Sequence, residues 1–75
     1  FMEELIRILQ SIHPDVDYKT NDRLIEDKIL DSFDIITLIS EINEEFGVAI
    51  PAEEIVPENF NSAEKLYDLI LRLEE

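Results

Sequence analysis

Leu5, Ile6, Ile8, Leu9 and Ile12 recur at the three- and four-residue spacing of one helix face, and Pro14, which cannot continue a helix interior, ends the run. The spacing predicts a first helix over residues 2–12. Residues 13–31 lose the period and open on His13-Pro14-Asp15-Val16-Asp17, a cluster of turn formers. Leu24, Ile25, Ile29 and Leu30 nevertheless give the later half enough apolar side chains to be tied to a core, so this connection is expected to be an ordered loop. The helical period returns at Ile35 and runs through Leu38, Ile39, Ile42 and Phe46. Asp31 stands where a cap residue accepts a hydrogen bond from the first turn, and Asp34 puts a carboxylate where the helix dipole favours one. Gly47 suits a left-handed C-cap, which places the second helix at about Ser32 to Phe46. Ile50-Pro51-Ala52-Glu53-Glu54-Ile55 fits a short helix of one or two turns, started by Pro51 and stopped near Pro57. Asn61, with Glu64 three residues on, reads as the reciprocal cap of a last helix whose buried side carries Ala63, Leu66, Leu69, Ile70 and Leu73.

The predicted fold class is all-α: a small bundle of three main helices and one short one, with a long first loop. There is no internal repeat, low-complexity tract or alternating strand pattern. The expected core comprises Leu5, Leu9, Ile12, Ile35, Leu38, Ile39, Ile42, Phe46, Ile50, Ile55, Leu66, Leu69, Ile70 and Leu73. Seventy-five residues suit a single domain, 1–75, near the size at which one core is only just sufficient. Phe1, which precedes the Met at position 2, is read as a cloning remnant.

On the second helix, Ile35, Leu38, Ile39, Ile42 and Phe46 share about one third of the circumference. Phe33 lies roughly 160° from Ile35, and Ile36 about 100°, so neither belongs to that stripe. The outward surface therefore reads Phe33, Ile36, Thr37, Ser40 and Glu44, with Glu41 beside it. An exposed Phe ringed by acids suits docking better than stability; the competing expectation folds Phe33 back onto the long loop or the short helix.

Charge narrows the partners. Nineteen acidic against six basic residues give a net charge of −13, which repels nucleic acid and anionic membranes and steers basic protein surfaces toward the chain; the competing expectation is that the charge only maintains solubility. No apolar run approaches the roughly 20 residues that span a bilayer, so a soluble protein without membrane insertion is expected; the cytoplasm is the default compartment and a monomer the expected state. The absence of Cys excludes disulfides and thiolate metal sites and is consistent with a reducing compartment.

Asp31-Ser32-Phe33-Asp34 offers a hydroxyl between two carboxylates at a helix head. The single His, His13, would have to reach Ser32, and a third group would have to orient its ring, before Ser32 could act as a catalytic nucleophile. Ser32 thus reads as an attachment point, and no enzymatic activity of the chain's own is expected. His13, with no His or Cys neighbour at ligand spacing, is taken as a helix-end residue. Asp15, Asp17 and Glu26 occupy three places of a calcium loop, but Lys19 and Thr20 stand where an oxygen ligand and the turn glycine are needed, so no metal is expected.

At Asp31-Ser32-Phe33-Asp34 the sequence resembles the carrier-protein family of acyl, peptidyl and aminoacyl carriers. The likeness continues through Ile36-Thr37-Leu38-Ile39 and Glu44-Glu45-Phe46-Gly47-Val48-Ala49-Ile50-Pro51, and covers about Leu24 to Leu73. The resemblance implies the four-helix bundle of acyl carrier proteins. It further implies a 4'-phosphopantetheine arm on Ser32, attached by a phosphopantetheinyl transferase and carrying cargo as a thioester. Asp31 would help present Ser32, and Phe33, Asp34, Ile36, Thr37, Ser40, Glu41 and Glu44 would join it in the recognition surface. An acyl- or aminoacyl-activating ligase and a downstream acyl-transferring enzyme would be the further partners. Leu30-Asp31-Ser32, the Glu-Phe-Gly-Val segment and Asn59-Phe60-Asn61-Ser62 look somewhat more like D-alanyl carrier proteins of teichoic acid modification than like fatty-acid carriers, with a specialised carrier served by a dedicated ligase as the equal alternative. The rival reading is an unmodified acidic helical adaptor that binds a basic or helical partner through Phe33 and Ile36.

Overall fold

The computed structural model describes residues 2–74. Four helices follow in order: α1 (Met2–Ile12), α2 (Ser32–Phe46), α3 (Pro57–Phe60) and α4 (Ala63–Glu74), with a 3-10 turn (Ala52–Glu54) between α2 and α3. No strand occurs among the described residues. α1 packs against α2 and α4, and α3 closes against α4, giving the expected all-α bundle. The expectation for Phe1 lies outside the described residues.

The first two helices have the predicted bounds because their ends are chemically marked. The α1 ladder reaches His13, whose N–H donates to the Leu9 carbonyl at 2.9 Å, and Pro14 stops it there. Gly47 ends α2 in the left-handed conformation (φ 67°), its N–H donating to the Asn43 carbonyl at 3.0 Å.

The long loop is ordered, as its apolar positions suggest. Leu24 and Leu30 are buried, and residues 24–29 close a Schellman turn: the Ile29 N–H donates to the Leu24 carbonyl and the Lys28 N–H to the Ile25 carbonyl, both at 3.0 Å. Lys28 takes the left-handed place (φ 59°) where Gly is the usual occupant. The buried Tyr18 sets its hydroxyl 3.0 Å from the Leu9 carbonyl oxygen and 2.8 Å from that of His13, donating one proton between them and covering the end of α1. Burial, followed by the nearby Asp34 charge, pushes the Tyr18 phenol up from its ordinary value.

Three expectations need correction. Pro57 does not stop the short helix; it occupies the first turn of α3, where a missing N–H costs nothing, while residues 52–54 form only the 3-10 turn. Ile55, placed in the core from sequence, is 40% exposed, and Phe60 fills the core instead. Asn61 does not cap α4. The Ser62 hydroxyl accepts from the Lys65 N–H at 3.0 Å, and Glu64 is not the reciprocal partner.

The Asn61 side chain is engaged elsewhere. Its Oδ1 accepts from the Ile25 and Glu26 N–H groups at 3.0 and 3.2 Å, and its backbone carbonyl accepts from the Leu24 N–H at 2.9 Å. Asn61 thus clamps the long loop to the α3–α4 junction. Of the remaining expected core, Leu5, Leu9, Leu38, Ile42, Ile50, Leu66, Leu69 and Ile70 are buried. Ile12, Ile35, Ile39, Phe46 and Leu73 pack against them while partly exposed.

Candidate functional site at the head of the second helix

The site begins with a cap. Asp31 is extended (φ −98°, ψ −174°), and its Oδ1 accepts from the Asp34 N–H at 2.9 Å. Asp34 answers by accepting from the Asp31 N–H through Oδ2 at 3.2 Å. Two carboxylates therefore close a reciprocal capping box over the first turn, satisfying donors that a helix end leaves open.

Ser32, the first helical residue, lies inside this box, is exposed, and takes no part in the cap. Its hydroxyl stands at the positive end of α2 beside first-turn N–H groups that have no partner within the helix. Next to it Phe33 is 81% exposed, and one turn on Ile36 is 65% exposed. Phe33 thus folds onto neither the loop nor the short helix. Thr37, Ser40, Glu41 and Glu44 are also exposed, so the outward face read from helical angles is the one the structure presents.

His13 joins this cluster without a sequence signal to announce it. Its Nε2 lies 2.7 Å from Asp34 Oδ2, bridging the end of α1 to the head of α2 across 21 residues of chain. The hydrogen bond from His13 holds the Asp34 carboxyl below the usual carboxylate range; the Asp31 N–H assists, while partial burial works against both. Because His13 spends Nε2 on Asp34, that nitrogen is not arranged as a base toward Ser32. Asp17, one member of the calcium-loop pattern, accepts from the Lys19 N–H at 3.1 Å. No cluster of three or more metal-ligating side chains occurs among the described residues.

Behind the capped turn lies an apolar depression of about 190 Å³, lined by Ile25, Ile35, Ile55, Val56, Pro57 and Phe60. Ile55 lines this hollow, which accounts for its partial exposure. No helix among the described residues is long and apolar enough to cross a membrane.

The described residues thus form a small helical bundle that displays an exposed serine within a capped turn, beside an apolar and acidic helix face. The family model for the phosphopantetheine attachment site matches residues 3–70, and the chain belongs to that family. Its members bear 4'-phosphopantetheine as a prosthetic group and are non-catalytic carriers that interact with modifying and acyl-handling enzymes. Searches of curated proteins and of solved structures returned no match.

Proposed function

We propose that the chain is a single-domain, monomeric, cytoplasmic carrier protein whose Ser32 bears the 4'-phosphopantetheine arm. One observation carries this reading: within the matched segment, Ser32 is exposed at the first position of α2 between the two capping carboxylates. A phosphate ester on that hydroxyl fits its surroundings, because unpaired first-turn N–H groups and the helix dipole both favour an anion there.

In the attachment step the Ser32 oxygen attacks the pantetheine-bearing phosphorus of coenzyme A. A new O–P bond forms, the pyrophosphate P–O bond breaks, adenosine 3',5'-bisphosphate departs, and the serine proton passes to a base of the phosphopantetheinyl transferase. When bound, the group supplies a flexible arm whose terminal thiol holds an acyl or aminoacyl cargo as a thioester.

The chain's own residues supply position and recognition. Asp31 and Asp34 fix the turn that presents Ser32. Phe33, Ile36, Thr37, Ser40, Glu41 and Glu44, with the two Asp residues, form the surface read by the transferase, the acyl- or aminoacyl-activating ligase and the downstream acyl-transferring enzyme. Leu30-Asp31-Ser32 and Asn59-Phe60-Asn61-Ser62 support an aminoacyl cargo of the D-alanyl type over a fatty-acyl one.

Incubation of the apo chain with coenzyme A and a broad-specificity phosphopantetheinyl transferase tests the assignment by intact mass. Wild type should gain one phosphopantetheine and Ser32→Ala none. A folded wild type that stays unmodified would return the chain to the unmodified-adaptor reading.

A further inference from the structure

The contact between His13 and Asp34 joins two elements that sequence gives no reason to join, and it falls on the atom that closes the cap around Ser32. Asp34 Oδ2 serves two donors at once, His13 Nε2 at 2.7 Å and the Asp31 N–H at 3.2 Å. The carboxylate orientation that completes the box is therefore the one His13 holds.

His13 is itself fixed on both sides. Its N–H continues the α1 ladder to Leu9, its carbonyl oxygen lies 2.8 Å from the Tyr18 hydroxyl, and Pro14 restricts the residue that precedes it. The side chains of the pair are 39% and 21% exposed, so water screens the contact only in part.

Charge gives the contact a second consequence. Ser32 is flanked by two carboxylates, and the group delivered to it is anionic, so like charges oppose the helix dipole that favours the phosphate. A hydrogen bond from His13 draws charge of Asp34 toward α1.

We propose that His13 is a positioning residue for the loading of Ser32: by gripping Asp34 from the end of α1 it locks the capped turn in the form the transferase recognises. The proposal rests on Ser32 being the attachment residue.

The test measures initial loading rates of the apo chain with coenzyme A and the same transferase, alongside thermal stability and hydrogen exchange of the Asp34 amide. His13→Ala should raise the KM for the carrier about tenfold, with kcat within about twofold, the range expected for losing one hydrogen bond to a charged group. The Asp34 amide should exchange faster in that variant, and His13→Gln, a neutral donor of similar reach, should restore most of the KM. In an Asp34→Asn background, which keeps an acceptor for the Asp31 N–H, His13→Ala should change KM by less than about twofold, because the two residues act as one unit.

A merely structural His13 would lower the melting temperature and leave KM and the Asp34 exchange rate unchanged. That result overturns the proposal, as does an equal KM effect in both backgrounds. Should the alanine variant not fold, His13→Gln decides: KM and exchange near wild type support the proposal, and a folded glutamine variant with a tenfold loss overturns it. Failure of wild type to load removes the Ser32 reading itself, whereas wild-type loading with unaltered His13→Ala kinetics removes only the role of His13.

Discussion

Two neighbouring residues at the head of α2 have opposite duties. Asp31 works inward on the backbone, while Phe33 offers an aromatic ring to solvent at 81% exposure and contributes almost no buried area. Phe33→Ala should therefore leave unfolding free energy in urea within about 0.5 kcal/mol of wild type, since surface substitutions away from caps and cores rarely do more. The same variant should raise the KM for the transferase, because an exposed aromatic beside the proposed attachment residue is the kind of anchor on which protein contacts concentrate. A large stability loss with unchanged loading would make Phe33 a packing residue. The Asp31 cap and the outward facing of Phe33 were both legible in sequence, because capping and helical facing are local rules acting within one turn. The role of His13 was not: its partner lies 21 residues away, and no local rule relates a residue at one helix end to the first turn of the next.

Elements were legible in proportion to their length and to the uniqueness of their end signals. α1 and α2 carry several turns of period and unambiguous stops, and their bounds agree with the sequence reading. At the start of α4 two capping residue types stand side by side, and a long-range contact chose between them: Asn61 is drawn to the Ile25 and Glu26 N–H groups, leaving Ser62 to cap. Pro57 was ambiguous for a different reason, since the ring that ends one helix is equally suited to begin another. The Schellman turn of the long loop had no signal, because Lys28 occupies its left-handed position. That departure predicts a gain. A side chain in the left-handed region costs about 1–2 kcal/mol, and glycine returns part of this through unfolded-state entropy, so Lys28→Gly should stabilise the protein by about 0.5–1 kcal/mol. Lys28→Ala removes the same charge but keeps the Cβ, so urea unfolding of the two variants isolates the backbone term. Equal stability of the glycine and alanine variants would show that the turn carries no conformational cost.

Across the whole molecule, the core reading succeeded on the helical stripes and on the loop anchors Leu24 and Leu30, and missed the rest of what the connections bring: Tyr18, Val48 and Phe60 are buried although none lies on a long helix. Periodicity identifies the faces of helices, whereas a loop residue is buried only because the finished bundle leaves a gap for it. Charge acts at the same scale. If each of the six Lys and Arg residues paired with one acid, thirteen of the nineteen carboxylates would remain without a Lys or Arg partner. They are confined to a body of 30 × 24 × 20 Å, comparable with the roughly 30 Å screening length at 0.01 M salt and far larger than the roughly 3 Å at 1 M. At low salt nearly every carboxylate repels every other, and the compact state bears more of that repulsion than the expanded unfolded chain. Raising sodium chloride from 10 mM to 0.5 M should therefore raise the melting temperature, a gain of about 1 kcal/mol corresponding to about 4–8 °C in a domain of this size. The same salt should slow loading, because the field that strains the fold also steers a basic enzyme surface toward Ser32. Thermal melts and transferase kinetics on one salt series should thus move in opposite directions. A melting temperature indifferent to salt would mean that self-repulsion is not a significant cost of this acidic surface, and salt-independent loading would mean that partner capture rests on the apolar contacts of Phe33 and Ile36 alone.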